Sequence, residues 1–333
     1  IDAFLLPGLL FYAVRNGFDV VAGRRAVFWG AVALALTLPW AGLYEFFTAH
    51  DVLPFKGSSL FRTGIVRANG PFATDNSYAI VSGLVGVFLV WLPAEMRLAL
   101  DASARFIRRA AIGAAFVAAL VPVFRTIIGA VAVALAIPSI VGGRIRTLAR
   151  AALIVLLLGV ASLPLLVPLA RTATFQDRIA DPSSAFSRVA TYLAAADIIG
   201  DHPLAGVGLF NYKSAFDARF GTAWYTDVEA VNNIGAEAYP HNNVLGLWAE
   251  TGLFGVFFYL CSSIALAGLA WHRRNLPALA LMAVYWIAGM TLYSCLYADL
   301  NMVYYALVGV LLAKRPNDAQ RRMRHGDAEP SPR

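Results

Sequence analysis

Apolar runs of 17 to 25 residues recur along this chain, the length an α-helix needs to cross about 30 Å of hydrocarbon. In lipid, every backbone amide and carbonyl must find its partner inside the protein. A chain built of such runs is therefore confined to a bundle of spanning helices. Alternating ten-residue amphipathic segments are absent, which argues against a closed strand barrel. The composition agrees: 59% of the 333 residues are hydrophobic and 14% are charged, against about 25% charged in soluble domains. The expected spans lie near residues 3–14, 26–47, 76–94, 106–123, 126–142, 151–169, 244–270, 277–296 and 302–313. The fold class is an all-α polytopic membrane protein.

Orientation follows from the basic residues, which favour the cytoplasmic side of a bilayer. Of the 27 Lys and Arg, 18 fall in short loops on one side and in the C-terminal tail, and nine fall on the other. The first set, from Arg15, Arg24 and Arg25 to Arg273, Arg274 and the tail, marks the cytoplasm. The loops 48–75 and 170–241 then face outward, to the periplasm of a double-membrane bacterium. The domain organisation read from this pattern is N-terminal spans over 1–169, a periplasmic loop over 170–241, C-terminal spans over 242–313 and a disordered cytoplasmic tail over 314–333. The N-terminus, IDAFLLPGLLFYAVRN, lacks a signal-peptide pattern and reads as the end of a spanning helix. The sequence is thus expected to begin partway through a longer membrane protein.

Several function classes drop out. The net charge of +7 comes without any basic and aromatic patch of a nucleic-acid module, so it reads as orientation signal and contact with membrane lipids. Cys261 and Cys295 fall inside spans, which makes a disulfide framework improbable. His50, His202, His241, His272 and His325 are scattered, not spaced as metal ligands. Neither a metal nor a cofactor is expected.

The outward loop 170–241 is too long for a mere connection. Asp181, Pro182, Ser183 and Ser184 supply turn and cap residues before FSRVATYLAAADIIG, with Gly200 and Pro203 as its stop signal. Val189, Tyr192, Leu193, Ala196 and Ile199 recur at helical spacing, which predicts an amphipathic helix with that apolar face. The segment HPLAGVGLFNY follows, its Gly206 and Gly208 suited to a tight turn. The loop ends in YPHNNVLGLWAETGLFG (239–255), where a polar entry runs directly into an apolar span.

His241 stands at the N-terminus of that span, where unpaired amides and the helix dipole favour anions. It is a candidate base or phosphate donor; the alternative is an interfacial histidine at a helix end. Glu250 lies nine residues on, on the opposite helix face and about 13 Å away along the axis. It is therefore not the partner of His241, and its better role is to bond a neighbouring helix or a loop amide. Among the outward basic residues three stand out. Arg188 lies on the amphipathic helix, where snorkelling toward lipid is the alternative. Arg125 is the one charge between Ala110 and Val141, and such an isolated charge at the membrane is a functional candidate. Arg67 precedes the span from Asn76, in a loop marked by Asn69, Gly70 and Pro71. Guanidinium forks match phosphate oxygens, so several around one histidine suit a diphosphate.

These segments resemble the O-antigen ligase and polymerase superfamily of bacterial envelope glycosyltransferases. RANGPFATDNSYA (67–79) is similar to its Arg-x-x-Gly-x-Phe segment, and SRVATYLAAADIIGDHPLAGVGLFNY (187–212) to its Arg-led helix with His-Pro-Leu and a Gly-Val-Gly turn. PHNNVLGLWAETGLFG (240–255) resembles its His-Asn motif with a Glu-x-Gly ending. FRTIIGAVAVALA (124–136) is similar to a fourth element, but Phe124 and Thr126 stand where small neighbours are usual.

The resemblance implies a GT-C-like helical bundle whose large periplasmic loop covers a cavity in the inner membrane. It implies metal-independent transfer of a glycan from undecaprenyl diphosphate to an acceptor hydroxyl, on lipid A-core or on a second lipid-linked glycan. On this reading His241 and Arg188 are catalytic, and Arg67, Arg125 and Arg188 bind the diphosphate. Tyr239, Asn242 and Glu250 are accessory. The rival functions are a transporter or flippase of lipid-linked sugars and a protein O-oligosaccharyltransferase. The shared motifs concern the donor and do not choose the acceptor.

Overall fold

The computed structural model describes residues 3–17, 20–48, 50–53, 61–62, 65–66, 68–95, 98–122, 124–141, 183–220 and 239–313. Among them the protein is helical: α1 (Leu5–Gly17), α2 (Val20–Thr48), α3 (Asp75–Glu95), α4 (Ala102–Leu120), α5 (Arg125–Val141), α6 (Ser183–Asp201), α7 (Tyr212–Phe220), α8 (Asn243–His272), α9 (Leu276–Gly289) and α10 (Ala298–Leu311). A 3-10 turn covers Ser294–Leu296, and a two-stranded hairpin pairs Phe61–Arg62 with Ile65–Val66. The expected span 151–169, the loop segments 170–182 and 221–238, and the tail 314–333 lie outside the described residues. Among the described residues three helical stretches are long and apolar enough to cross a membrane, Arg25–Thr48, Asp75–Pro93 and Asn243–His272, with shorter apolar helices at Thr126–Ile137, Leu276–Gly289 and Ala298–Leu311. The protein is an all-α polytopic membrane protein.

The bundle is organised around α3, which packs against α2, α4, α5, α9 and α10. Its apolar window is 78% buried, whereas that of α8 is 11% buried, so α3 is the core helix and α8 a peripheral one. The buried face of α4 is made of Ala104, Ala111, Ala115, Ala118 and Ala119. Small side chains let helix backbones approach closely where lipid supplies no hydrophobic drive for association. Opposite them, Gly86 of α3 accommodates the Phe116 ring.

Hydrogen bonds gather several helix ends at one end of the bundle. The Tyr78 hydroxyl, at the start of α3, donates to the Leu38 carbonyl of α2 at 2.7 Å. Asp299 at the start of α10 accepts from the Ala73 amide at 3.0 Å. Thr291, just after α9, donates through Oγ1 to Thr126 Oγ1 at the start of α5, at 2.9 Å. Asn243 Nδ2 at the start of α8 donates to Ser294 Oγ at 2.9 Å. The opposite end is closed by Arg273 Nη1 on the Leu312 carbonyl (2.8 Å) and Asn275 Nδ2 on that of Leu311 (2.7 Å).

Two expected spans are corrected. The helix expected over 277–296 ends at Gly289, because the following turn wraps the first turn of α8. Gly246 there leaves room for the Tyr293 ring, and Gly289 for the Asn243 side chain. The span expected over 244–270 is broken at Gly252, whose φ of 67° interrupts an otherwise helical run. That value lies in the left-handed region that glycine alone adopts readily. Asn243–Thr251 and Leu253–His272 are therefore separate helical arms.

The break is filled by the turn after α6. The Val207 and Gly208 amides donate to the carbonyls of Ala249 (2.9 Å) and Glu250 (2.8 Å), and the Leu253 amide donates to Pro203 at 3.0 Å. A Cβ on Gly252 would meet the Leu204 carbonyl oxygen at 2.0 Å, and one on Gly206 would meet the Glu250 carbonyl carbon at 2.4 Å. Both glycines have positive φ. The backbones thus touch through two glycines, and α6 and α7 are docked on the first arm of α8 around Ala194, Ala195, Ile198, Ile199, Tyr212, Phe216 and Ala249. This corrects the expected apolar face of α6. Val189, Leu193 and Ala196 are exposed, while Thr191, Ala194, Ala195 and Ile198 are buried.

Candidate functional site

Asn242 caps α8: its extended backbone (φ −159°) turns the side chain back, and Oδ1 accepts from the amides of Val244 (2.8 Å) and Leu245 (3.1 Å). This is the residue type and conformation that satisfies the free amides of a helix start. Nδ2 donates to the Met290 carbonyl at 3.3 Å. The polar atoms of Asn242 are thus engaged with the protein itself and fix the start of α8. His241 falls one residue before the cap, half-buried, so it approaches the helix start from outside the first turn.

Tyr192 joins this segment to α6. Its hydroxyl donates to the carbonyl of His241 at 2.8 Å and lies 3.3 Å from that of Met290. Burial raises the Tyr192 pKa, and the nearby Arg188 charge draws it partly back. Arg188, one turn earlier on α6, is half-buried, and among the described residues its guanidinium has no carboxylate partner. The turn Met290–Thr291 is therefore a junction. Met290 receives Tyr192 and Asn242, and Thr291 bonds to Thr126, the neighbour of Arg125. The backbone of His241, the helix that carries Arg188 and the start of α5 thus meet at this turn, three elements distant in sequence.

Arg67 lies outside the described residues, but the chain just after it is held firmly. Glu45, fully buried, accepts from the amides of Asn69 and Gly70 at 2.6 Å through Oε2 and of Val52 at 3.1 Å through Oε1. Sequence reasoning missed Glu45, although a lone carboxylate in the apolar run 26–47 was the available signal.

Glu250 plays the corresponding role for α6 and α7. It is fully buried; Oε2 accepts from the Tyr293 hydroxyl at 3.0 Å and Oε1 from the Tyr212 amide at 3.4 Å. It also accepts from the Phe210 amide. Tyr239 is half-buried and stacks on Tyr212, with centroids 5.7 Å apart, while Tyr293 lies 6.1 Å from it. Burial raises the Tyr239 pKa, with a further push from the Glu250 charge. Tyr239 and Glu250 thus both bear on Tyr212 and Tyr293, which join α7 and the turn after α9 to the start of α8.

His241 thus precedes the start of α8, and Arg188 lies on the helix bonded to it through Tyr192. A helix start with its free amides favours anionic groups. No curated protein matches the chain. The family model described as O-antigen ligase matches residues 72–260, a stretch from just before α3 into the second arm of α8 that includes Arg125, Arg188, His241 and Glu250. That match covers more than half of the 333 residues, and the chain belongs to the O-antigen ligase family, which transfers glycans in envelope polysaccharide synthesis.

Proposed function

We propose that this protein transfers a glycan from undecaprenyl diphosphate to an acceptor hydroxyl at the periplasmic face of the inner membrane. The observation that carries the reading is the Met290–Thr291 junction, where the backbone of His241, the helix of Arg188 and the start of α5 meet. When the bond between sugar and phosphate breaks, negative charge develops on the diphosphate. Fixed guanidinium groups stabilise that charge more in the transition state than in the ground state. Arg188, Arg125 and Arg67 take this role. His241 accepts the proton of the acceptor hydroxyl or orients a phosphate oxygen. Fixed geometry at this point removes an entropic barrier to the encounter of donor and acceptor.

The test is transfer by the purified protein, given a lipid-diphosphate glycan and, in separate arms, lipid A-core, a second lipid-linked glycan or a serine-containing peptide. The arm that yields product identifies the acceptor. His241→Ala and Arg188→Ala lose transfer with the fold intact; unchanged transfer in both contradicts the assignment.

A further inference from the structure

We propose that the turn at 203–210 is a re-entrant hook immersed at the hydrocarbon boundary of the bilayer, so that lipid acyl chains cover Leu204, Leu209 and Phe210. Its position comes first. The turn is docked on the break at Gly252, and the arm below it, Leu253–His272, is 20 residues long. At 1.5 Å per residue that arm measures about 30 Å, the thickness of the hydrocarbon core. Gly252 therefore marks the hydrocarbon boundary, and the turn bonded to it lies at the same depth.

The exposed surface fits that depth. Leu204 is 58% exposed and Phe210 48%, and the turn adjoins Leu253 and Phe254 at the top of an arm whose Phe258 is 68% exposed. The apolar surface of the spanning arm thus continues onto the hook. Polar residues flank the hook on both sides: Asp201 and His202 before it, Asn211 and Lys213 after it.

The backbone of the turn is satisfied in part: among the described residues the amides of Gly206, Val207, Gly208 and Phe210 have partners in the protein and those of Leu204, Ala205 and Leu209 do not, which places the turn at the wet edge of the hydrocarbon and not in its interior. Here the Gly206 amide donates to His202 (2.9 Å), Val207 to Ala249, Gly208 to Glu250 and Asn211 to Gly208 (3.1 Å). Those of Phe210 and Tyr212 go to the Glu250 carboxylate. The Trp248 indole N–H donates to the Pro203 carbonyl at 3.0 Å, an arrangement suited to the aromatic belt of a membrane interface. Glycine at 206 and 252 permits this close docking. The hook then fixes the depth of His241, about 16 Å above Gly252 along the first arm of α8.

Two measurements on the full-length protein in lipid nanodiscs test the hook. In the first, wild-type protein is irradiated in bilayers containing a phospholipid with a diazirine on its acyl chain. Mass spectrometry is expected to find adducts within 203–210 as well as on Phe257 and Phe258. Adducts on α8 alone, or crosslinks from the hook to a second copy, would overturn the proposal. In the second, Leu204→Cys and Phe210→Cys are made with Cys261→Ser and Cys295→Ala, and labelled with a membrane-impermeant maleimide. Thiol exposure sets the rate, so labelling is expected about tenfold slower than at a Ser214→Cys control and close to a Phe257→Cys control. Labelling as fast as at the Ser214→Cys position would overturn it.

Discussion

The Tyr192 hydroxyl donates to the backbone carbonyl of His241 at 2.8 Å, so the helix that carries Arg188 is bonded directly to the segment that carries the histidine. Tyr192→Phe removes this bond and the contact with Met290. Each such bond contributes about 1 kcal/mol, so stability falls slightly. The larger expected effect is on transfer, about tenfold or more, because small displacements of reacting groups are costly. Thermal unfolding and transfer rates of the variant check both parts.

The same hydroxyl gives an alkaline dependence. Burial raises the folded pKa of Tyr192 above its ordinary value, so folding favours the protonated form. That contribution is complete below the unfolded value of about 10 and is lost as pH rises through the higher folded value. Unfolding temperatures measured from about pH 9 to 11 are expected to fall less steeply in Tyr192→Phe than in the wild type. Parallel curves would contradict this assignment.

Glu250→Ala removes the carboxylate that accepts from the buried Tyr293 hydroxyl and from the amides of Phe210 and Tyr212. An unsatisfied buried group costs about 1–3 kcal/mol, so the variant is expected to loosen α6 and α7 before the bundle. Limited proteolysis should cut first near 203–220, while Tyr293→Phe, which removes one donor, should be milder.

Gly252→Ala places a Cβ 2.0 Å from the Leu204 carbonyl oxygen at a residue whose φ is positive. The strain, about 1–3 kcal/mol for the backbone alone, separates the hook from α8. The expected readouts are faster proteolysis within 203–210 and reduced transfer. Gly268→Ala, where nothing lies within 4 Å of the added Cβ, serves as the neutral comparison.

Much of this was legible from local chemistry. The helix at Ser183–Asp201 coincides with the cap signals at Ser183 and Ser184 and the stop at Gly200, because those signals act within a turn of the chain. The membrane class followed from run length alone. What local pattern could not show was which face of α6 is buried. Its apolar residues surround the helix, and Val189 and Leu193 proved exposed while Ala194 and Ala195 pack against α8. The break at Gly252 was hidden for a similar reason. A glycine inside an apolar run is compatible with a straight span, and only the contact with Leu204 explains the kink. The capping role of Asn242 was hidden because its partners, the amides of Val244 and Leu245, are visible only once the helix start is placed. Glu45 escaped because its amide partners, Asn69 and Gly70, lie more than 20 residues away. Arg188 and His241 could be nominated by residue type, but their link through Tyr192 and Met290 is tertiary.

The central claim is that Arg188 and His241 act on the donor as one unit. A double-mutant cycle on the transfer rate, with Arg188→Ala, His241→Ala and both together in folded protein, tests it directly. Each single variant is expected to lose about 10²–10³-fold, and the double variant little more than the worse single one, as found for residues that act together. Losses that simply multiply, or a full rate in either single variant, would contradict the account.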